Sequence, residues 1–387
     1  VPDTPQKFSP ILGLPLDDDP AETPAARPAQ PTPEAPFALS VIVPARNEEV
    51  NLPACLATLL AQSDELFLLG RDWELLVVDD ASTDRTHALA LELAAQHPGL
   101  RVLDAPPLSP DPRTRGFTGK TNACWSAAQQ AQGRSLLFTD ADTLHEPGNL
   151  LRALHEAEKH QVALLSYSPR QLVRGLAQRA LMPLVFSELA SVYPPAQVND
   201  PGRRIAAANG QFLLFERNAY FAVGGHRAVG RSVLEDVDLA FNIKRRGSPN
   251  GGPSLRFRYA PDALSTRMYR GVADMVEGWT KNLALLFPHA LTLAAWRLLD
   301  LLLLLLPLTF LLFPLLTTLQ NVLILAIWLR TLFRFYRRVA RSHFPPLDCA
   351  LSVFALPLFV YLLVRSWMDH RLFHRVTWKG REYRVKQ

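Results

Sequence analysis

Cysteine is scarce. The 387-residue chain has three, Cys55, Cys124 and Cys349, far apart and with no C-x-x-C pair. An odd, scattered set excludes a disulfide framework and a structural zinc site, and it fits a reducing compartment. A P-loop is also missing, because "TGKTNA" at 118–123 lacks the upstream glycines. No basic patch is interleaved with aromatic residues, which argues against nucleic acid as a partner. His370 and His374 have the i, i+4 spacing of a metal pair but no carboxylate third ligand. They read as surface residues. The chain opens on Val1 rather than Met, which leaves room for an upstream segment such as a membrane anchor.

What is present is unevenly spread. Hydrophobic residues make up 48% of the chain. Net charge is +5, yet residues 330–387 hold twelve Lys/Arg against Asp348, Asp369 and Glu382, a local balance of +9 that leaves −4 for the rest. The basic excess lies beside apolar runs, so it points to an anionic membrane face. Residues 1–36 are rich in Pro, Ala, Asp and Glu and read as a disordered linker. Asp17-Asp18-Asp19 within it fits Asp-x-Asp without a preceding strand, and carries no function.

From Leu39 to about Leu165, apolar runs alternate with helical patterns. "LSVIVPA", "WELLVVDD", "LRVLDAP", "SLLFTDA" and "QVALLS" read as strands. Between them fall helices from about Glu48 to Gln62, over "STDRTHALALELAAQH" with Ser82 or Thr83 as cap, over "GKTNACWSAAQQA", and over "PGNLLRALHEAEKH". Such alternation predicts an α/β domain with a mostly parallel central sheet covered on both faces. Ligands of these sheets bind at the carboxyl ends of the strands. "LEDVDLAFNIKRRG" predicts an amphipathic helix. Beyond it, "RMYRGVADMVEGWTKNLALLF" is aromatic and amphipathic. "LLDLLLLLLPLTFLLFPLL" at 298–316 and "ALSVFALPLFVYLLV" at 350–364 have the length and composition of transmembrane helices. The positive-inside rule wants both flanking basic clusters on the cytoplasmic side, so the last segment is either re-entrant or an exception to the rule.

The polar signatures gather at strand ends. In "VVDDASTD", Asp84 suits a helix cap, whereas Asp80 is available to meet a nucleobase N–H or ribose hydroxyls. In "VPARNEE", turning of the backbone accounts for Pro44 and Asn47; a nucleotide site would add Arg46 and Glu48. Lys120 opens a helix, where the dipole disfavours a cation, and a bound anion would relieve that. In "FTDADT", Asp140 and Asp142 stand two apart. On a strand both point to one side and can converge on a hard cation. Asp236 and Asp238 have the same spacing on a helix, about 200° apart, and cannot easily share an ion. Glu235 and Asp236 at that helix start either cap it or aim a carboxylate at a ligand. Asn209-Gly210 either lines an acceptor pocket or makes an ordinary turn.

Taken in order, "SVIVPARNEE", "LLVVDDASTDRT", "GKTNA", "FTDADT", "ANGQF", "VGGH" and "LEDVDLA" resemble the family 2 glycosyltransferases, over about residues 38–283. The resemblance implies the GT-A nucleotide-sugar fold, a UDP- or GDP-sugar donor, Mg²⁺ or Mn²⁺, and inversion at the anomeric carbon. It implies that Pro44, Arg46, Glu48, Asp80 and Lys120 hold the nucleotide, Asp140 the donor and Asp142 the metal. Asp236, beside Glu235, would be the general base. The Q-x-x-R-W string of processive polysaccharide synthases is absent; "EGWTKNL" stands in its region. The chain therefore looks like the branch that glycosylates lipids, notably carotenoids, with hopanoid and ceramide glycosylation as alternatives. Trp279 then belongs to the acceptor side, in a segment at the membrane surface.

These readings divide the chain into a linker (1–36), a catalytic domain (37–265), an interfacial segment (266–290), transmembrane segment or segments (291–332), a basic loop (333–346), a transmembrane or re-entrant segment (347–365) and a basic tail (366–387). The expected protein is a multi-pass inner-membrane enzyme with its catalytic domain in the cytoplasm. It would move one sugar, glucose from UDP-glucose, to a lipid hydroxyl. A nucleotidyltransferase would lack the late "LEDVDLA" and the apolar segments. An inactive membrane scaffold would not need Asp140, Asp142 and Asp236.

Overall fold

The computed structural model describes residues 36–109, 116–247, 254–312, 317–378 and 381–384. Residues 1–35 of the linker, with Asp17, Asp18 and Asp19 among them, lie outside the described residues. The chain forms two compact units. Among the described residues, one holds 36–172 together with Pro195–Met268, and the other holds Val173–Pro194 together with those from Tyr269 onward.

The first unit is built on ten strands: β1 (Phe37–Ala45), β2 (Trp73–Asp79), β3 (Leu100–Asp104), β4 (Gly133–Phe138), β5 (Thr143–His145), β6 (Leu164–Ser168), β7 (Arg170–Gln171), β8 (Leu213–Glu216), β9 (Leu255–Tyr259) and β10 (Leu264–Thr266). Seven form the central sheet in the order β3-β2-β1-β4-β8-β6-β9. β3, β2, β1 and β4 run parallel; only β8 is antiparallel to its neighbours. This is the mostly parallel sheet that the alternation predicts. The central strands are fully covered, as parallel strands need to be: every residue of β2 is buried. A second sheet, β5-β10-β7, lies in the same unit.

Helix boundaries differ from the sequence reading for local reasons. The first helix is Leu52–Leu60, not Glu48 onward. Residues 48–51 form a turn instead, with Leu52 N donating to Glu48 O at 2.8 Å. Pro53 is then in the first turn, where its missing N–H costs nothing. The next helix, Thr86–Ala94, starts beyond Ser82 and Thr83. Its N-cap residue is Arg85, and just before it Asp84 Oδ1 accepts from Thr86 N at 3.0 Å.

The second unit contains helices Gly175–Val192, Val272–Leu286, Ala290–Leu312, Thr318–Val339 and Leu356–Arg371. The first was expected within the catalytic domain; its partners lie far along the sequence. The basic stretch read as a loop at 333–346 is helical as far as Val339. Ala290–Thr309 and Pro346–Arg371 are long and apolar enough to cross a membrane by length and composition.

Candidate active site

Strand order reverses between β1 and β4: β2 and β3 lie to one side of β1, β4 to the other. The crevice at such a reversal, at the carboxyl ends of the strands, is where open α/β sheets bind ligands. Pro44 lies at this end. β4 stops at Phe138, paired with Ile42, and Thr139 N donates to Ile42 O at 3.0 Å. Two residues on, Pro44 has no β4 neighbour to bond, so its missing N–H costs no ladder bond.

The loops after β1 and β2 are sewn together. Arg46 Nη1 donates to Asp80 O at 2.6 Å and to Ala81 O at 3.2 Å. Asn47 Oδ1 accepts from Thr83 N at 2.8 Å, and Glu48 N donates to Thr86 Oγ1 at 2.7 Å. Ala81 has φ +52°, a conformation that costs a residue with a Cβ and survives only where its surroundings fix it. Arg46 supplies part of that fixing. Asp79 Oδ2 accepts from Ser82 N at 3.0 Å and so shapes the turn, while Asp80 is buried beside it.

The two aspartates of "FTDADT" are not on a strand. β4 ends at Phe138, and Thr143 N donates to Asp140 O at 3.2 Å to close a turn. The alternating geometry of a strand therefore does not set their directions. A buried network does. Thr139 Oγ1 donates to Gln211 O at 2.8 Å, and Thr143 Oγ1 donates to Asp140 O at 2.7 Å. Asn149 Nδ2 donates to His145 Nδ1 at 3.1 Å, so Nε2 carries the ring proton towards Thr139 Oγ1 at 3.1 Å and Thr143 Oγ1 at 3.3 Å. Burial pushes His145 down to about 3, which keeps the ring neutral. Thr266 Oγ1 donates to Asp142 O at 3.1 Å. None of Thr139, His145 or Thr266 stood out in the sequence. For Thr139 and His145 the available signal was a mostly polar run after an apolar strand; Thr266, more than a hundred residues on, had none.

Four charged groups meet around Gly210. Lys120, on the helix Gly119–Gln130 capped by Thr118, places Nζ 2.7 Å from Asp140 Oδ1 and 3.0 Å from Glu235 Oε1. Asp236 starts the neighbouring helix Glu235–Arg246. Its Oδ2 accepts from Gly210 N at 2.8 Å and its Oδ1 from Val237 N at 2.9 Å. A Cβ at Gly210 would stand 2.9 Å from Lys120 Nζ, so any other residue would push the end of the lysine aside. Burial would lower Lys120, but Asp140 and Glu235 outweigh it and hold the ammonium protonated. Desolvation, then the charge of Glu235, pushes Asp236 up to about 7; Lys120 and the two N–H donors pull the other way. The structure thus joins Lys120, Asp140, Glu235, Asp236 and Gly210 in one place.

Other candidates make packing contacts of their own. Asn209 Oδ1 accepts from Gln211 N at 2.9 Å, which makes the turn that presents Gly210. His226 is buried, its Nδ1 2.8 Å from Tyr220 Oη, and desolvation pushes it down to about 3. Trp279 is not at a surface: it is 3% exposed, with Nε1 on Met182 Sδ at 3.4 Å and its ring edge-on to Phe186 and Tyr269. His370 is buried too, with Nε2 donating to Lys281 O at 2.7 Å. Its apolar helix needs that side against protein.

A divalent cation suits the donor set here. Among the described residues no group of three His, Cys, Asp or Glu is placed to enclose a metal. Magnesium-type ions commonly take only one or two carboxylates and complete their shell with phosphate oxygens and water. Asp142, half buried in the turn beside Asp140, is a donor of that kind. The nearby Cys55 thiol is pushed up to about 12 by burial, so it stays protonated and offers no thiolate to a softer metal.

The family model described as "Glycosyl transferase family 2" matches residues 40–237, a window that contains every group gathered around Gly210. The chain is 27% identical, over 381 residues, to a 4,4'-diaponeurosporenoate glycosyltransferase of Staphylococcus haemolyticus, covering 91% of this chain and 90% of that protein. A protein of the same name from Staphylococcus aureus (strain USA300) is 25% identical over 367 residues, covering 90% and 89%. Among solved structures, the mannosyltransferase PcManGT of Pyrobaculum calidifontis with GDP-Man and Mn²⁺ aligns with TM-score 0.45 at 16% identity, covering 88% of this chain and 89% of that one. S. aureus TarS 1-349 in complex with UDP-GlcNAc aligns with TM-score 0.41 at 16% identity, covering 89% and 96%.

Proposed function

The chain belongs to glycosyl transferase family 2, and we propose that it moves a single sugar, glucose from UDP-glucose, to an oxygen of an apolar lipid acceptor of the carotenoid kind. The observation that carries this reading is the meeting of Lys120, Asp140, Glu235 and Asp236 around Gly210 at the sheet's reversal point. The acceptor class is supported by the names of the relatives, which align along about nine-tenths of the chain.

In this reading Asp236 is the general base. A carboxyl raised to about 7 is a far stronger base than an ordinary one, and about half of it is ionised at neutral pH. It takes the proton of the acceptor hydroxyl as that oxygen attacks the anomeric carbon. The bond to the diphosphate breaks on the opposite face, its electrons leave with UDP, and the centre inverts. Lys120 keeps Asp140 and Glu235 neutralised beside the base, and Glu235 steadies Lys120. Asp140 faces the donor. Asp80 accepts from base or ribose; Arg46 and Glu48 hold the loop that carries it; Pro44 ends the strand beneath. Asp142 would hold Mg²⁺ or Mn²⁺, which would supply positive charge against the departing diphosphate. The catalytic unit lies on the cytoplasmic side of the inner membrane, beside its lipid acceptor.

The full-length protein in detergent, given UDP-glucose, Mn²⁺ and a hydroxylated carotenoid, should release UDP and yield a glucosylated lipid. No acceptor-dependent release with any carotenoid would overturn the acceptor class. The relatives' names favour a second reading of the nucleophile, because diaponeurosporenoate is by name a carboxylate. Such an acceptor arrives ionised and needs no base, so Asp236→Asn would then spare transfer.

A further inference from the structure

Residues 301–329 form a run of twenty-nine without Asp, Glu, Lys or Arg. As one straight helix it would span about 43 Å, more than the ~30 Å hydrocarbon core of a bilayer. The chain instead doubles back. Helices Ala290–Leu312 and Thr318–Val339 form an antiparallel hairpin, with Trp328 Nε1 donating to Leu304 O at 3.0 Å.

The two ends of the uncharged stretch therefore meet again, in an ionic clasp. Asp300 Oδ2 lies 2.8 Å from Arg297 Nη1 and 2.8 Å from Arg338 Nη2. Glu188 Oε1, on helix Gly175–Val192, lies 3.3 Å from Arg297 Nη1 and 3.2 Å from Arg338 Nε. Beyond the clasp, the outward side chains are apolar and bare: Leu302, Leu305 and Leu306 on one leg, Val322, Leu323 and Ile327 on the other. Towards the clasp, the second leg turns basic, with Arg330, Arg334 and Arg337 exposed.

Each uncharged leg is short. Asp300 to Leu312 and Thr318 to Arg330 each rise about 18 Å, little more than half of the hydrocarbon core. The other long apolar helix does not add a crossing. Leu356–Arg371 buries Leu356, Phe359, Leu362 and Leu363. It binds the backbone of helix Val272–Leu286 through Ser366 and His370. That helix carries exposed Asp274 and Glu277. Helix Leu356–Arg371 also packs along Ala290–Leu312, so protein covers its apolar face on two sides.

We propose that helices Ala290–Leu312 and Thr318–Val339 together act as a re-entrant anchor. It dips into one anionic leaflet from the side of its arginines and returns, so that this part of the chain is held in the membrane without crossing it. Apolar tip and basic collar match acyl chains and anionic headgroups in order of depth. The collar puts the point of entry on the cytoplasmic face, and both C-terminal basic clusters then share that face. The conflict with the positive-inside rule disappears, because residues 350–364 no longer have to cross. The anchor rests on the second unit alone and stands apart from the sugar-transfer reading.

The test uses the full chain in membranes, with Cys349→Ser as background. A membrane-impermeant maleimide is applied from either face to Leu319→Cys, near the tip, and to a cysteine appended after Gln387. The anchor predicts no labelling at position 319 from either face, and labelling of the tail from the cytoplasmic face only. A bimane at position 319 should be quenched by phosphatidylglycerol brominated in mid-chain. Labelling of position 319 or of the tail from the periplasmic face overturns the proposal. Independently of these substitutions, protease added outside spheroplasts should leave the unaltered chain uncut between Ala290 and Gln387; cleavage there overturns it as well.

Discussion

Asp140-Ala141-Asp142 and Asp236-Val237-Asp238 have the same spacing and opposite geometry. The first pair flanks a turn after β4; the second opens a helix. The first member of each reaches the same place: Asp140 through Lys120 Nζ at 2.7 Å, Asp236 through Gly210 N at 2.8 Å. The second members make contacts of their own. Asp238 bonds Ser232, and the carbonyl of Asp142 takes Thr266. Equal spacing thus says little, and what approaches each carboxylate says most. Lys120 and Gly210 are the groups that give the pairs their different roles.

The comparison can be broken most directly at Asp236. Asp236→Asn should cut transfer about 10²–10⁴-fold, measured as UDP release with acceptor present, while donor binding by calorimetry is kept. Next is Lys120→Ala, which leaves Asp140 and Glu235 without their cation. Lys120 is a third exposed, so water tempers the cost. Donor affinity should fall roughly ten- to hundredfold. Lys120 also lowers Asp236, so its loss should move the acid limb of the pH–rate curve to higher pH.

Gly210→Ala tests the close approach. Its Cβ meets the far end of a flexible lysine at 2.9 Å, so the protein should fold normally and lose roughly tenfold in kcat. Thr139→Val tests the support under the Asp140–Asp142 turn. It removes the donor to Gln211 O and should cost about 1–3 kcal/mol in a denaturant titration, with a higher Mn²⁺ requirement. Asp238→Asn should change turnover by no more than about twofold, as for a position away from the chemistry. A loss as large as that of Asp236→Asn would dissolve the distinction between the two members of the pair.

Much of the first unit was legible in the sequence. Apolar runs of strand length, broken by helical periods, gave the parallel sheet, and the polar signatures fell at strand ends because such ends leave the core. A lysine opening a helix called for an anion, and the protein itself supplies two, Asp140 and Glu235. What was hidden is long-range. Nothing local to Gly175–Val192 says that Glu188 pairs with Arg297 and Arg338, more than a hundred residues on. The strand reading of Asp140 and Asp142 failed because a period of two carries no mark of where it stops. Arg46 was legible as polar but not as the clamp on Asp80 and Ala81, since that needs the register of β1 on β2.

The central claim is that a carboxyl raised by burial and by Glu235 does the proton transfer. An ordinary aspartate at 3.8 would leave the rate level down to about pH 4. Asp236, at about 7, must be ionised to accept a proton, so transfer should fall as pH drops below about 7, about tenfold per unit once well below it. The decisive measurement is the pH–rate profile of transfer to a hydroxyl acceptor, for the unaltered protein and for Asp236→Asn. The account predicts an acid limb near pH 7 that is absent, together with nearly all activity, in the variant. A rate that is flat from pH 5 to 8, with full transfer by Asp236→Asn, would contradict it.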